Sequence, residues 1–108
     1  MTQVQEIRVQ PRNQKFSVEL AGQTFNLRVL WNTTSERWFL DIDDADGQPL
    51  VHGIPLVTGA DLLAQHRHLG FPGALYCGSD GELERPPGYD DLGSTSHLWF
   101  QADGAAGA

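Results

Sequence analysis

The stretch of sequence that decides the fold is residues 15–31, KFSVELAGQTFNLRVLW. Apolar and polar residues alternate on both sides of Ala21 and Gly22, which places the apolar side chains of each half on one face of a strand. The two residues between the halves are typical of a tight turn. Residues 15–20 and 23–31 are therefore predicted to form a β-hairpin with one buried face.

A third strand is predicted to follow the hairpin. Residues 32–36, NTTSE, are typical of a turn. After them, Trp38, Leu40 and Ile42 recur at every second position and so share one face of a strand. Because Trp31 and Trp38 flank the turn, they are predicted to face each other across neighbouring strands and to close the core.

A fourth strand and a short helix come next. The turn sequence DADG at residues 44–47 leads to a less regular strand at residues 48–57, whose two prolines confine it to a sheet edge or a bulge. Asp61 can cap a helix over residues 61–69, and Gly70 can end it in the left-handed conformation. Such a helix would pack one face against the sheet.

These elements predict a mostly β fold, a small antiparallel β-barrel or sandwich with one short helix. Further strands are expected at residues 74–77 and 96–102. We expect a single domain over residues 13–102, preceded by an N-terminal arm at residues 1–12 and followed by a flexible C-terminal tail at residues 103–108.

The composition of the 108 residues limits the class of protein. No apolar run approaches the ~20 residues that a bilayer-spanning helix needs, and the polar N-terminus lacks the apolar centre of a signal peptide. Cys77 is the single cysteine, which excludes an intrachain disulfide and suits a reducing compartment. We therefore expect no membrane contact and no export by a standard route.

The net charge of −7 is divided unevenly along the chain. Residues 1–37 hold five basic and three acidic side chains, whereas residues 38–108 hold two basic and eleven acidic ones. Such asymmetry can steer association with oppositely charged protein surfaces, although ordinary solubility charge is the alternative. It argues against sequence-specific recognition of nucleic acid, which requires a basic stripe.

Residues that could bind a metal lack the spacing that a metal site requires. The acidic run at residues 41–47, DIDDADG, resembles a calcium-binding loop. If Gly47 takes the glycine position of such a loop, however, Ile42 takes the first ligand position and Gly53 the twelfth, and neither has a side-chain oxygen. His66 and His68 are two residues apart, whereas helical metal ligands are spaced by four. We expect no bound metal.

The chain also shows no catalytic constellation. Residues 78–81, GSDG, do not match the G-x-S-x-G nucleophile motif. Cys77 has no basic neighbour in sequence that would lower its pKa. No P-loop or dinucleotide-binding glycine motif is present. The chain is therefore not expected to be an enzyme, and no cofactor is expected.

The N-terminal arm is a candidate for binding another protein. Ile7 and Val9 lie at strand spacing, and Arg8 and Arg12 add positive charge. An alternating segment of this kind suits addition as a strand to an exposed sheet edge. An acidic edge on a neighbouring subunit would be a natural recipient.

The last predicted strand offers a second candidate surface. Leu98 and Phe100 share the core face, which leaves His97 and Trp99 on the opposite face. A tryptophan outside the core is a candidate interface anchor, because tryptophan is enriched among the residues that dominate binding energy. A second layer over that face would bury it instead.

These features resemble the baseplate plug family of contractile-tailed bacteriophages, over about residues 6–101. The resemblance rests on apolar alternation and turn glycines in a fixed order and spacing, namely Asn13-Gln14-x-Phe16, Leu20-x-Gly22, Leu27-x-Val29-x-Trp31-Asn32, Trp38-x-Leu40-Asp41-Ile42, Asp46-Gly47-x-Pro49-Leu50, Gly53-Ile54-Pro55-Leu56-Val57-x-Gly59, Asp61-Leu62-Leu63, His68-Leu69-Gly70-Phe71, Gly73-x-Leu75-Tyr76, and Asp91-Leu92-Gly93 with Leu98. The chain departs from the family pattern at Trp99 and in a longer acidic, proline-containing loop at residues 82–89.

The resemblance implies a structural subunit with no catalytic residues, placed near the central hub of the baseplate between the tail tube and the spike. Hub, tube-initiating and wedge proteins would be its neighbours, with multiple copies in a virion assembled in the host cytoplasm. The alternative from the residues alone is a free-standing β-domain that binds a ligand or a carbohydrate. Its stacking platform would be Trp99, Tyr76 and Tyr89.

Overall fold

The computed structural model describes residues 4–58, 60–79, 88–94 and 96–102. Over these residues the chain forms seven strands and one 3-10 helix, in the order β1 (Val4–Ile7), β2 (Gln14–Leu20), β3 (Gln23–Asn32), β4 (Arg37–Asp44), β5 (Pro49–Pro55), the 3-10 helix (Ala64–Leu69), β6 (Gly73–Ser79) and β7 (Ser96–Ala102). The predicted tail at residues 103–108, and most of the loop at residues 82–89, lie outside the described residues.

The strands form two antiparallel sheets around one hydrophobic core. β2, β3, β4 and β5 make a four-stranded sheet in chain order, and β1, β7 and β6 make a three-stranded sheet with β7 in its centre. Buried side chains from both sheets belong to a single cluster. The arrangement is a sandwich and not a closed barrel, which confirms the predicted mostly β fold class.

The hairpin predicted at residues 15–31 is confirmed. β2 and β3 pair in an uninterrupted antiparallel register that reaches Leu20 opposite Gln23. Gly22 in the turn has a φ of 82°, a left-handed conformation that glycine adopts without steric cost. Leu27 is exposed by only 2%, so the apolar face of the hairpin is the core face.

Trp31 and Trp38 lie opposite each other on β3 and β4, as predicted. Their rings meet edge to face with centroids 5.3 Å apart. Trp38 is fully buried, and its indole N–H donates a hydrogen bond of 3.0 Å to the carbonyl oxygen of Gly88. Tyr89 stacks on Trp38 with centroids 5.8 Å apart, so a later loop covers this tryptophan pair.

β5 lies at one edge of the four-stranded sheet, as its prolines predicted. Pro49 and Pro55 stand at its two ends, and its pairing with β4 shifts register twice. The Asp41 carboxylate spans this irregular pairing, because it accepts the Gly53 N–H at 2.8 Å and forms an ion pair with Arg28 at 2.9 Å. Prolines and bulges of this kind protect a sheet edge from pairing with another chain.

The predicted helix is shorter and tighter than expected. A 3-10 helix covers Ala64–Leu69, whereas the prediction placed the helix start at Asp61. The Asp61 carboxylate accepts the N–H groups of Leu63 at 2.9 Å and of Leu75 at 3.0 Å, so it holds the preceding turn against β6. Within the described ranges, no helical segment has the length and hydropathy that crossing a membrane would take.

Residues 4–9 belong to the domain, which corrects the prediction of a separate N-terminal arm over this stretch. β1 pairs antiparallel with β7 and places Ile7 opposite Leu98. Ile7 and Val9 are exposed by 1% and 8% and form part of the hydrophobic core. A short alternating segment cannot bury its apolar side chains alone, but β7, late in the chain, provides the strand that allows it to do so.

Candidate docking surface

β7 divides its side chains between the core and the outer face of the three-stranded sheet. Every second residue is buried, and His97 and Trp99 lie on the outer face, as the alternation predicted. The same face receives Glu6 from β1 and Tyr76 from β6, which stand opposite Trp99 on its two sides. The first strand of the chain and the last two thus contribute to one surface.

Two contacts join the side chains of Glu6, His97 and Trp99, and a third fixes the Trp99 ring against the backbone. His97 Nδ1 lies 2.9 Å from Glu6 Oε2. The His97 ring centroid is 5.5 Å from the centroid of Trp99. The Trp99 ring lies over Gly78, where a Cβ atom would come within 2.8 Å of a ring carbon. We call Glu6, Tyr76, His97 and Trp99 the outer-face cluster.

The outer-face cluster has the chemistry of a protein-binding surface. Trp99 and Tyr76 are half-buried neighbours on adjacent strands, so part of each side chain remains accessible. The polar pair of His97 and Glu6 borders them. Tryptophan and tyrosine are enriched among the residues that dominate binding energy, because they bury a large area and can also donate a hydrogen bond.

Two of the candidate interface residues, Ile7 and Val9, cannot contact a partner in this structure. Both are core residues, because β1 adds to the chain's own sheet and not to the sheet of a neighbouring subunit. The prediction that this segment adds as a strand to the sheet of a neighbouring subunit is therefore corrected: it adds to β7 of its own chain. Arg8, which lies between the buried Ile7 and Val9, and Arg12 are exposed.

Arg8 and Arg12 line an open groove of about 580 Å³, which we call the basic groove. Lys15 at the start of β2 contributes a third positive charge, and Glu6 lies at the same groove. Since Glu6 also contacts His97, the basic groove adjoins the outer-face cluster. Glu6 thus links the candidate residues Arg8 and Arg12 at the groove to His97 on the last strand.

Glu6 and Lys15 were not identified from the sequence. Glu6 is an ordinary acidic residue in a polar stretch, and its contact with His97 joins residues 91 positions apart. A local sequence pattern cannot predict a contact between residues so far apart in the sequence. Lys15 was recognised only as a polar residue of an alternating strand, and its place in the groove depends on how residues 8–12 fold beside it.

The three-ring platform of the ligand-binding alternative is not assembled. Trp99 and Tyr76 are cross-strand neighbours. Tyr89 instead packs against Trp31 and Trp38, with ring centroids 5.3 and 5.8 Å apart. Tyr89 therefore lies with Trp31 and Trp38, apart from Trp99 and Tyr76, whereas the ligand-binding alternative required Trp99, Tyr76 and Tyr89 on one surface.

The described residues give no support to a catalytic or metal centre. Among them, no group of three or more histidine, cysteine, aspartate or glutamate residues could hold a metal ion. Cys77 is buried, and burial raises the pKa of its thiol from the ordinary value of 9.0 to about 11. Since the thiolate is the reactive form, Cys77 is inert in the folded protein.

Comparison with known protein families yields a match over nearly the whole chain. The family model described as Cyanophage baseplate Pam3 plug gp18 matches residues 4–103. Both sheets, the outer-face cluster and the basic groove lie within the matched range. No curated protein matches the chain significantly.

Proposed function

This chain belongs to the family of the cyanophage baseplate Pam3 plug gp18, and we propose that it is the plug subunit near the central hub of a contractile-tail baseplate. The family is a structural component of the phage baseplate, so the chain has a structural role in the virion tail and contacts other baseplate proteins. The finer proposal is that those neighbours are the hub, tube-initiating and wedge proteins, and that assembly occurs in the host cytoplasm.

The observation that carries this proposal is the outer-face cluster. A structural subunit has to present a rigid surface to its neighbours, because ordering flexible side chains on binding costs free energy. Trp99 meets that requirement, since Gly78 beneath it and His97 beside it fix the position of its ring. We propose that Trp99 and Tyr76 anchor a neighbouring baseplate protein and that Glu6 and His97 form the polar border of the contact.

Replacement of Trp99 by alanine tests the docking role. Loss of an interface hot spot costs about 2 kcal/mol or more, which corresponds to roughly 30-fold weaker binding. The variant and the unchanged chain are each co-expressed with the hub protein of the same phage, and the amount of hub that co-purifies is measured. We expect Trp99→Ala to reduce it strongly and the unchanged chain to retain it.

Tyr89→Ala provides the matched control, because Tyr89 is an aromatic residue exposed by 50% and lies outside the outer-face cluster. Thermal unfolding of both variants is followed by circular dichroism to show that they remain folded. Normal hub recovery with a folded Trp99→Ala variant would contradict the proposed docking surface. Loss of recovery with both variants would show that the effect is not specific to the cluster.

A further inference from the structure

Three basic side chains meet at the basic groove. Arg8, Arg12 and Lys15 line it beside one acidic residue, Glu6, and all three basic residues are exposed. Over the residues that the structure describes, their side chains take part in no hydrogen bond or ion pair, whereas Arg28 is paired with Asp41 at 2.9 Å. Positive charge gathered in a concave site of a chain with a net charge of −7 favours an anionic occupant.

The backbone around the groove is held in place on two sides. The Gln14 side-chain amide donates to the carbonyl oxygens of Gln10 at 2.7 Å and Arg12 at 2.8 Å, and its oxygen accepts the Gln10 N–H at 3.1 Å. On the other side, Gly93 lies against the backbone carbonyl of Val9 with no room for a Cβ atom. A preorganised groove loses less conformational entropy when it binds a ligand.

The chain also presents a rigid acidic element, the turn between β4 and β5 at residues 44–48. The Asp44 carboxylate accepts the N–H groups of Asp46 and Gln48, both at 2.9 Å. The Asp44 carbonyl accepts the Gly47 N–H at 3.0 Å. Asp46 is exposed in this turn, and its carboxylate forms no bond within the described residues. We call residues 44–48 the acidic turn.

The basic groove and the acidic turn lie at opposite ends of the four-stranded sheet, so one copy of the chain cannot join them. β2 begins beside the groove with Gln14 opposite Val29, and β4 ends at the turn with Asp44 opposite Phe25. Val29 and Phe25 lie at different positions along β3, and β2 and β4 are two strand spacings apart. Together these two offsets separate the start of β2 from the end of β4 by roughly 16 Å, without counting the flanking loops.

We propose that the basic groove of one copy of this chain binds the acidic turn of a second copy. Because the two surfaces differ, the contact either closes reciprocally as a two-fold dimer or repeats head-to-tail as a ring or a filament. Exposed ion pairs are individually weak and are screened by salt. The association is therefore weak and strengthens as the ionic strength falls. Its test changes Arg12 and Asp46, which lie outside the outer-face cluster, so this proposal can fail without the proposed docking to the hub failing.

Sedimentation equilibrium of the full chain tests this contact with two charge-reversed variants. At ~0.02 M salt, where charges act over more than ~20 Å, we expect concentration-dependent association that is lost at ~0.5 M salt. Arg12→Glu places an acid in the groove and Asp46→Arg places a base in the turn. Each variant alone is expected to associate about tenfold more weakly, because like charges then face each other.

Mixing the two variants separates the groove-to-turn contact from a general effect of charge. An equimolar mixture brings each altered groove against an altered turn of opposite charge, and each unaltered groove against an unaltered turn. We expect the mixture to recover association that neither variant shows alone. Glu19→Arg is the matched control, because it makes the same charge change at an exposed position of β2 outside the turn.

Three results would overturn the proposal. The first is the absence of salt-dependent association of the unchanged chain up to ~1 mM, since weaker contacts fall outside the affinity range of specific complexes. The second is equal weakening by Glu19→Arg and Asp46→Arg. The third is binding of a single-stranded oligonucleotide that Arg12→Glu abolishes while self-association is missing, which would assign the groove to phosphate groups.

Discussion

Replacing Ile7 with alanine is expected to destabilise the whole domain, although Ile7 lies only seven residues from the start of the sequence. Ile7 is exposed by 1%, pairs opposite Leu98 and belongs to the cluster that joins both sheets. The substitution removes buried methyl and methylene groups and leaves a cavity in a position that neighbouring strands hold open. Val4 on the same strand is exposed by 63% and provides the matched control.

The magnitude follows from the burial of each side chain. Large-to-small changes at buried isoleucines cost about 2–5 kcal/mol, which is a large fraction of the ~5–15 kcal/mol that stabilises a typical domain. For a domain of this size, each kcal/mol lowers the melting temperature by about 4 °C, so Ile7→Ala should lower it by roughly 8–20 °C. Val4→Ala should cost less than ~0.5 kcal/mol, because a surface change removes few contacts.

Thermal and urea unfolding, followed by circular dichroism and tryptophan fluorescence, measure both variants. Coincident transitions by the two signals would show that β1 unfolds together with the rest of the domain. If Ile7→Ala melts within ~2 °C of the unchanged chain, which is less than ~0.5 kcal/mol, residues 4–9 are not part of the core. Equal losses at Ile7 and Val4 would show that β1 contributes through its backbone pairing and not through the buried side chain.

Two further perturbations test individual contacts. Gly93→Ala should cost about 2–5 kcal/mol, because a φ of 84° is unfavourable for alanine and the new Cβ would collide with the Val9 carbonyl. Gly22→Ala, at a similar φ but in open space, should cost only about 1–2 kcal/mol in urea unfolding, and equal losses would refute the collision. Burial raises the pKa of the Cys77 thiol from 9.0 to about 11. As the pH rises, the unfolded chain therefore loses the thiol proton at a lower pH than the folded chain does. The free energy of unfolding should fall as the pH rises from about 9 to about 11. Urea midpoints of Cys77→Ala across this range should decline less steeply, and parallel curves would show that Cys77 does not contribute.

The alternating pattern in the sequence predicted the strands and their buried faces because successive side chains of a strand point to opposite sides of a sheet. That rule acts within a few residues, so it located the β2–β3 hairpin and the core face of β4 without tertiary information. The facing of Trp31 and Trp38 was also predictable, because the NTTSE turn brings two adjacent strands together. Pro49 and Pro55 likewise predicted the sheet edge at β5 from backbone chemistry alone.

The sequence by itself therefore determined the mostly β class and the hairpins, which depend on short-range order along the chain, and the family, which depends on the order and spacing of motifs along nearly the whole chain. Only the tertiary structure decided the position of β1, the contact of Glu6 with His97, and the packing of Tyr89 on Trp38. These pairings join segments that are far apart in sequence, and several partners would satisfy the same local alternation. Which partner is chosen depends on how the whole core closes, since the burial of Ile7 against β7 has to offset the entropy of ordering the segment.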